Sequence, residues 1–331
     1  MTSSTQIQLI NRPVGWPTHD DFRSVTVELP GLGPDQVRVA NAFTSVDPYM
    51  RGRMNDVKSY IPPFVLGETM TGGAVGRVVE STTVTHPVGS VVVHDLGWRD
   101  VAQGDASAFR VVEEIPGVPI SAHLGILGLT GLTAYVGLVH VAHLQPGESV
   151  FISGAAGAVG TAAGQIARLE GASEVIGSAG SAEKVALLAD KYGYSAAFDY
   201  KQAPVREQLR EIACAGIDVY FDNVGGDHLE AALDVMRNGG RAALCGAISA
   251  YNATERTPGP DNMMNIISRG LTLEGFTLGN YTHIFPEFAA KMGPGSPPAP
   301  WSMTRPLSTA SRILSMRSFS SCAARTSERC W

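Results

Sequence analysis

Three glycines, Gly154, Gly157 and Gly160, follow the apolar run Val150 to Ser153 and open an alanine-rich stretch, Ala158 to Glu170. At that spacing a chain can leave a strand and enter a helix while a diphosphate lies on the exposed backbone N–H groups, where any side chain would block the approach. Gly154, Ala156, Gly157, Ala158, Val159 and Gly160 therefore form a candidate dinucleotide cradle. The competing reading is a glycine turn in some other α/β domain. An acid at the end of the next strand would hold the ribose hydroxyls of NAD. The chain instead reads Ile176-Gly177-Ser178-Ala179-Gly180-Ser181-Ala182-Glu183-Lys184. A small polar strand end at Ser178 with Lys184 soon after suits a 2′-phosphate, which favours NADP over NAD, although Glu183 would offset part of the charge. Alternatively, Ser181 caps a helix and Lys184 is a solvated surface charge; both can hold together.

A second concentration of reactive groups runs Val46-Asp47-Pro48-Tyr49-Met50-Arg51-Gly52-Arg53-Met54, followed by Tyr60-Ile61-Pro62-Pro63-Phe64 and Gly67-Glu68. Tyrosines and methionines beside prolines can wall an apolar pocket, with Tyr49 and Tyr60 each offering a phenolic donor. The competing reading is a surface turn with Arg51 and Arg53 in water.

The elements that must position these groups alternate. After the glycines, strand-like runs at Glu174 to Ser178, Ala196 to Asp199, Ile217 to Asp222, Arg241 to Cys245 and Leu271 to Leu278 are separated by helical segments. Those segments are Ala182 to Tyr192, Ala203 to Ala213, Asp227 to Arg237 and Asp261 to Arg269. This is the rhythm of a doubly wound parallel sheet with crossover helices. The first part of the chain differs, with short strand-like runs split by Pro and Gly turns: Ser24 to Leu29, Val37 to Thr44, Gly73 to Val79, Ser90 to Asp95 and Ala108 to Val112. It reads as a mostly β domain. A chain of 331 residues exceeds one ordinary core, and no apolar run is long enough to span a membrane. Met1 to Gln8 lacks a basic then apolar leader, so a cytoplasmic location is expected. A net charge of −6 without basic clusters gives no reason to expect nucleic acid. Cys214, Cys245, Cys322 and Cys330 have no metal-ligand spacing and fit reduced thiols. A catalytic zinc is not expected, because the first domain holds no cysteine.

Five stretches in order resemble the medium-chain dehydrogenase/reductase superfamily: Val46 to Met54, Gly128 to Tyr135, Gly154 to Gly160, Phe221-Asp222-Asn223-Val224-Gly225-Gly226, and Cys245-Gly246-Ala247-Ile248-Ser249-Ala250-Tyr251-Asn252. More narrowly, they look like its zinc-free branch of prostaglandin reductases, alkenal double-bond reductases and curcumin reductases, over Asn11 to about Lys291. The resemblance implies an α/β fold with a GroES-like substrate domain over residues 1–122 and a Rossmann NADP-binding domain over residues 123–290. It also implies a homodimer, no membrane or nucleic-acid partner, and an NADPH-dependent reductase that delivers hydride to the β-carbon of an enone or enal. By matching motifs, Tyr251 is the tyrosine near the reacting centre, and Tyr49 and Tyr60 line the substrate side. Lys184 and Tyr200 match the positions that hold the 2′-phosphate, while Asn223, Cys245, Phe276 and Leu278 lie along the cofactor. A quinone reductase on the same cofactor site, or an inactive NADPH-binding protein, are the alternatives.

From Gly295 onward the composition changes, with five Arg and one acid, net +4, against 20 basic and 30 acidic groups before it. The family's return segment, with its Gly-x-Asn-x-Gly-Lys motif, is absent. Reading each codon's third base with the next two permits Met-Val-Tyr-Asp-Glu-Thr-Val-Val-Asp-Gly from Pro300, and Ala-Asn-Ile-Gly-Lys from Ala324 to Arg329. A single-base deletion near Pro294 is therefore expected to have replaced the native ending, leaving residues 291–331 as a poorly ordered tail and the chain less stable, with impaired activity. Sequencing the gene tests this.

Overall fold

The polar opening of the chain is a strand. In the computed structural model, which describes residues 2–292 and the strand Ser311–Arg312, β1 (Thr2–Leu9) pairs antiparallel with β2 (Phe22–Leu29) along its length. Polar residues on β1 point inward: Ser4 is fully buried and its hydroxyl donates to the Val101 carbonyl at 2.7 Å. A buried polar side chain with its partner in place breaks the apolar alternation that marks a strand in sequence.

The described chain divides into two compact units, one ending at Gly125 and joined by Ser311–Arg312, the other beginning at Ile126. The first continues through β3 (Gln36–Thr44), α1 (Tyr49–Arg53), β4 (Ala74–Ser81), β5 (Val91–His94), β6 (Val101–Asp105) and β7 (Arg110–Val111). Here β3 pairs with β4 and β6, β4 with β5, and β5 with β7, all antiparallel. The expected mostly β character is present. Three elements differ from the sequence reading: β1 and β6 are strands it does not contain, and the stretch after Asp47 is a one-turn helix rather than a surface turn.

The second unit opens with α2 (Leu129–Tyr135), which runs on as a π-helical turn over Val136–Val141. There follow β8 (Ser149–Ile152), α3 (Ala158–Leu169), β9 (Glu174–Ala179), α4 (Ala182–Tyr192), β10 (Ala196–Asp199), α5 (Val205–Ile212), β11 (Ile217–Asp222), α6 (Gly226–Val235), β12 (Met236–Leu244), α7 (Met264–Arg269), β13 (Thr272–Gly275) and α8 (Phe285–Met292). The six strands form one parallel sheet in the order β10-β9-β8-β11-β12-β13. The doubly wound fold is therefore as expected, with β8 at the switch point where the winding reverses, the place where such sheets take ligands. All four residues of β8 are buried, as a strand covered by helices on both faces requires. Phe151 stacks on Tyr220 at 5.2 Å and on Phe198 at 6.0 Å, tying three strands together on one face.

Two boundaries move for physical reasons. The strand expected from Arg241 begins at Met236, because Gly239 at φ +73° lets the chain adjust within the ladder without ending it. The strand expected to reach Leu278 stops at Gly275, and Phe276 packs edge-on against Phe221 at 6.4 Å. Apart from Lys291 and Met292, which end α8, the expected tail lies outside the described residues except for β14 (Ser311–Arg312), which pairs antiparallel with β3, Ser311 opposite Thr44.

Candidate functional site: a nucleotide cradle and a tyrosine-bearing turn

The glycine loop is tightest at Gly160, where the backbone leaves no room for a side chain. Gly154 adopts φ +59°, and its N–H donates to Ser178 Oγ at 3.2 Å. Gly157 is the N-cap of α3, and no side chain caps that helix, so its first-turn N–H groups are left for an anion. A Cβ on Gly160 would lie 2.5 Å from the carbonyl oxygens of both Gly154 and Ala155, so only glycine fits there. Gly157 is exposed, and Ala156, Ala158 and Val159 are partly exposed, so this rim is open to a ligand. The cradle fits the diphosphate of a dinucleotide.

One carboxylate oxygen ties this loop to the next. Asp222 Oδ1 accepts from Ser153 Oγ at 3.0 Å, Tyr220 Oη at 2.6 Å, and the N–H groups of Val224 at 2.9 Å and Gly225 at 2.8 Å. Burial raises the Asp222 pKa, and the donated hydrogen bonds oppose that rise. Ser153 Oγ in turn accepts from the Asn223 N–H at 2.9 Å, and Asn223 Nδ2 donates to Ser153 O at 2.8 Å. Asn223 thus binds the loop's own backbone. Asp222 and Ser153 were not singled out as site residues from sequence, although an acid ending a strand just before Asn-Val-Gly-Gly was a usable signal.

At the β9 end, Ser178 is fully buried, and its hydroxyl serves the Gly154 N–H. Ser181 caps α4, accepting from the Lys184 N–H at 3.3 Å, while the Lys184 side chain is exposed. The cap and the exposed lysine are as the alternative reading of that pair has them. Tyr200 follows β10 and lies over Gly180, where a Cβ would come within 2.7 Å of the phenol oxygen. Gly154, Ser178, Tyr200, Asn223, Cys245 and Phe276 all sit at or just past the C-terminal ends of parallel strands, on one edge of the sheet. Leu278 begins the 3-10 turn that follows.

Past β12 the chain folds back so that the Ala247 N–H donates to Tyr251 Oη at 3.4 Å. Burial raises the Tyr251 phenol above its ordinary pKa, with smaller contributions from Cys245 and Asp222, against the hydrogen bond from Ala247. It is a protonated donor at neutral pH. Burial also pushes the Cys245 thiol up to about 12, so it is not a nucleophile.

In the first unit, the Val46 to Met54 stretch is anchored by its cations. The reading of Arg51 and Arg53 as solvated is corrected. Arg51 is only 4% exposed and donates to Asn55 Oδ1 at 2.7 Å, Gly15 O at 2.9 Å and Pro13 O at 3.2 Å. Arg53 donates to Pro62 O at 3.0 Å and Thr71 Oγ1 at 3.1 Å, and its guanidinium lies 4.0 Å above the Phe64 ring. Burial raises the pKa of the partly buried Tyr49, with Asp47 adding to the rise, so its phenol stays protonated. Tyr60 is exposed. Asp47 is buried and accepts from Ser45 Oγ at 2.8 Å, while its Oδ2 has no hydrogen-bond partner.

Among the described residues no group of His, Cys, Asp or Glu could hold a metal ion, and no helix is long and apolar enough to cross a membrane. Residues 5–112 match the family model described as the N-terminal domain of oxidoreductase, and residues 158–293 the one described as zinc-binding dehydrogenase. The chain is 37% identical over 290 residues to the NADPH-dependent curcumin reductase of Escherichia coli, covering 86% of this chain and 84% of that protein. It is 39% identical over 293 residues to the NADP(+)-dependent 2-alkenal reductase of Nicotiana tabacum, with the same two coverages, 86% and 84%. Vibrio vulnificus CurA, solved in complex with NADPH, superposes with a TM-score of 0.81 at 37% identity, over 87% of this chain and 86% of that one. With both halves matched and relatives this similar over most of its length, the chain belongs to the medium-chain dehydrogenase/reductase family, with the curcumin, alkenal and prostaglandin reductases among its relatives.

Proposed function

We propose that this NADP-dependent oxidoreductase saturates the C=C bond of α,β-unsaturated ketones and aldehydes. The observation that carries the reading is Tyr251, a protonated phenol folded back onto the Cys245 to Ala247 turn, on the same sheet edge as the phosphate cradle. The curcumin and alkenal reductases named above support it.

NADPH, when bound, supplies a hydride to the substrate's β-carbon. The residues of this chain do the rest. The Gly154 to Gly160 loop and the start of α3 take the diphosphate, while Lys184 and Tyr200 take the 2′-phosphate. Cys245, Phe276 and Leu278 line the way toward the nicotinamide. Electrons displaced from the double bond collect on the carbonyl oxygen, where Tyr251 Oη–H donates a hydrogen bond to the growing enolate. A proton from solvent at the α-carbon completes the saturation.

Oxidation of NADPH against a panel of enones, enals and quinones tests the substrate class. Tyr251→Phe is expected to lower kcat by about 10- to 100-fold on an enone while NADPH affinity holds. Faster turnover on quinones than on any enone or enal would replace this reading with a quinone reductase. NADPH binding without turnover on any of them would make the protein an inactive binder. A homodimer is also proposed, and light scattering on the purified chain would overturn it by returning the monomer mass.

A further inference from the structure

His228 sits in the first turn of α6 with 4% of its surface exposed, in the middle of an apolar cluster. Its ring lies parallel to Phe151 at 6.5 Å and 5°, extending the stack that Phe151 forms with Tyr220 and Phe198. The same imidazole meets Tyr200 nearly perpendicular, with centroids 5.4 Å apart at 78°. Nε2 has no hydrogen-bond partner. A leucine would fill the space without stranding a polar nitrogen, so packing volume alone does not explain a histidine here. What the flat ring adds is a wall for Tyr200. Gly180 also borders that tyrosine, and its missing side chain makes room for the phenol. Tyr200 therefore has two close neighbours that set its place, a glycine that admits it and an imidazole that meets its ring. Burial lowers the His228 pKa to about 4, so the wall is uncharged at neutral pH and adds no direct attraction for an anion.

We propose that His228 is a positioning residue for cofactor choice: by fixing the ring of Tyr200 against Gly180, it aims the phenol at the 2′-phosphate and sets the preference for NADPH over NADH. This rests on the reading of Lys184 and Tyr200 as the 2′-phosphate groups.

The test measures dissociation constants of NADPH and NADH for the full chain, from nucleotide fluorescence on binding. NADH shares every contact except the phosphate, so it reports any general damage to the fold. His228→Ala is expected to weaken NADPH by about fivefold, the worth of one aromatic pair, and to leave NADH within about twofold. His228→Phe keeps a flat ring and is expected to retain NADPH affinity. Tyr200→Ala should weaken NADPH selectively, and His228→Ala should have no further effect in its background, because the histidine acts through the tyrosine. If His228→Ala changes both nucleotides equally, or neither, while Tyr200→Ala is selective, His228 is ordinary core and the proposal is wrong. If Tyr200→Ala itself leaves the NADPH to NADH ratio unchanged, the phosphate reading fails and this inference falls with it, a pattern distinct from the first.

Discussion

The nucleotide cradle and the tyrosine-bearing turn of the first unit are built in opposite ways. The cradle is backbone: Gly154, Gly157 and Gly160 set its path, and Asp222 Oδ1 collects donors from both of its loops. The turn at Val46 to Met54 is shaped by side chains, with Arg51 reaching the carbonyls of Pro13 and Gly15 and Arg53 lying over Phe64. A site made from backbone fails when atoms are added, whereas one made from side chains fails when charge or partners change. The cradle should therefore be sensitive to size and the turn to protonation.

The largest effect is expected at Gly160. Valine there would place its Cβ against two carbonyl oxygens at 2.5 Å, and neither can move without unmaking the loop. Gly160→Val should cost about 3 kcal/mol of stability or more, and roughly 100-fold in NADPH affinity. The comparison within the loop is Gly157→Ala, whose Cβ would meet only the Gly154 carbonyl, at 3.2 Å. Equal losses at both positions would show that the cradle is not limited by backbone contact.

Next is Asp222→Ala, which strands two hydroxyls and two backbone N–H groups in a buried place. The cost should be about 2 to 4 kcal/mol, read from urea unfolding, with NADPH binding weakened because Ser153 and Val224 lose their common anchor. A stable variant that binds NADPH normally would mean that the loops hold themselves, and Asp222 would not be the link between them.

The same contrast explains what could be read from sequence. Gly154 and Gly160 are legible because a positive φ at one and two carbonyl oxygens 2.5 Å from a Cβ at the other demand glycine, so the strand-to-helix loop follows from spacing between a strand-like and a helix-like run. Direction is not legible. Ser178 stands where a phosphate ligand was expected, yet its hydroxyl points into the protein to hold the Gly154 N–H. The role of Arg51 depends on carbonyls far away in the chain, at Pro13 and Gly15, which no local pattern announces. His228 gave no signal because a histidine on an apolar helix face looks the same whether it packs or positions. β1 was hidden for a related reason, since Ser4 is polar and buried at once.

The smallest effect, and the one specific to the turn, is the pH dependence set by Asp47. Burial lifts its carboxyl from 3.8 to about 6, against the hydrogen bond from Ser45. The folded state therefore keeps this proton over a range where the unfolded chain has lost it. Its stabilising contribution is fully present below about pH 4 and is lost as pH rises through about 6. Integrated over that window, the loss is at most roughly 3 kcal/mol, and less if water reaches the site. Asp47→Asn cannot ionise and still offers an oxygen to Ser45, so it should match the parent near pH 4 and grow more stable relative to it up to pH 7. The urea midpoints of the two proteins, followed across that range at constant slope, should separate for Asp47→Asn and stay parallel for Gly157→Ala. Parallel curves for both would mean that Asp47 ionises freely in the folded protein, and that the turn, like the cradle, is governed by shape rather than by charge.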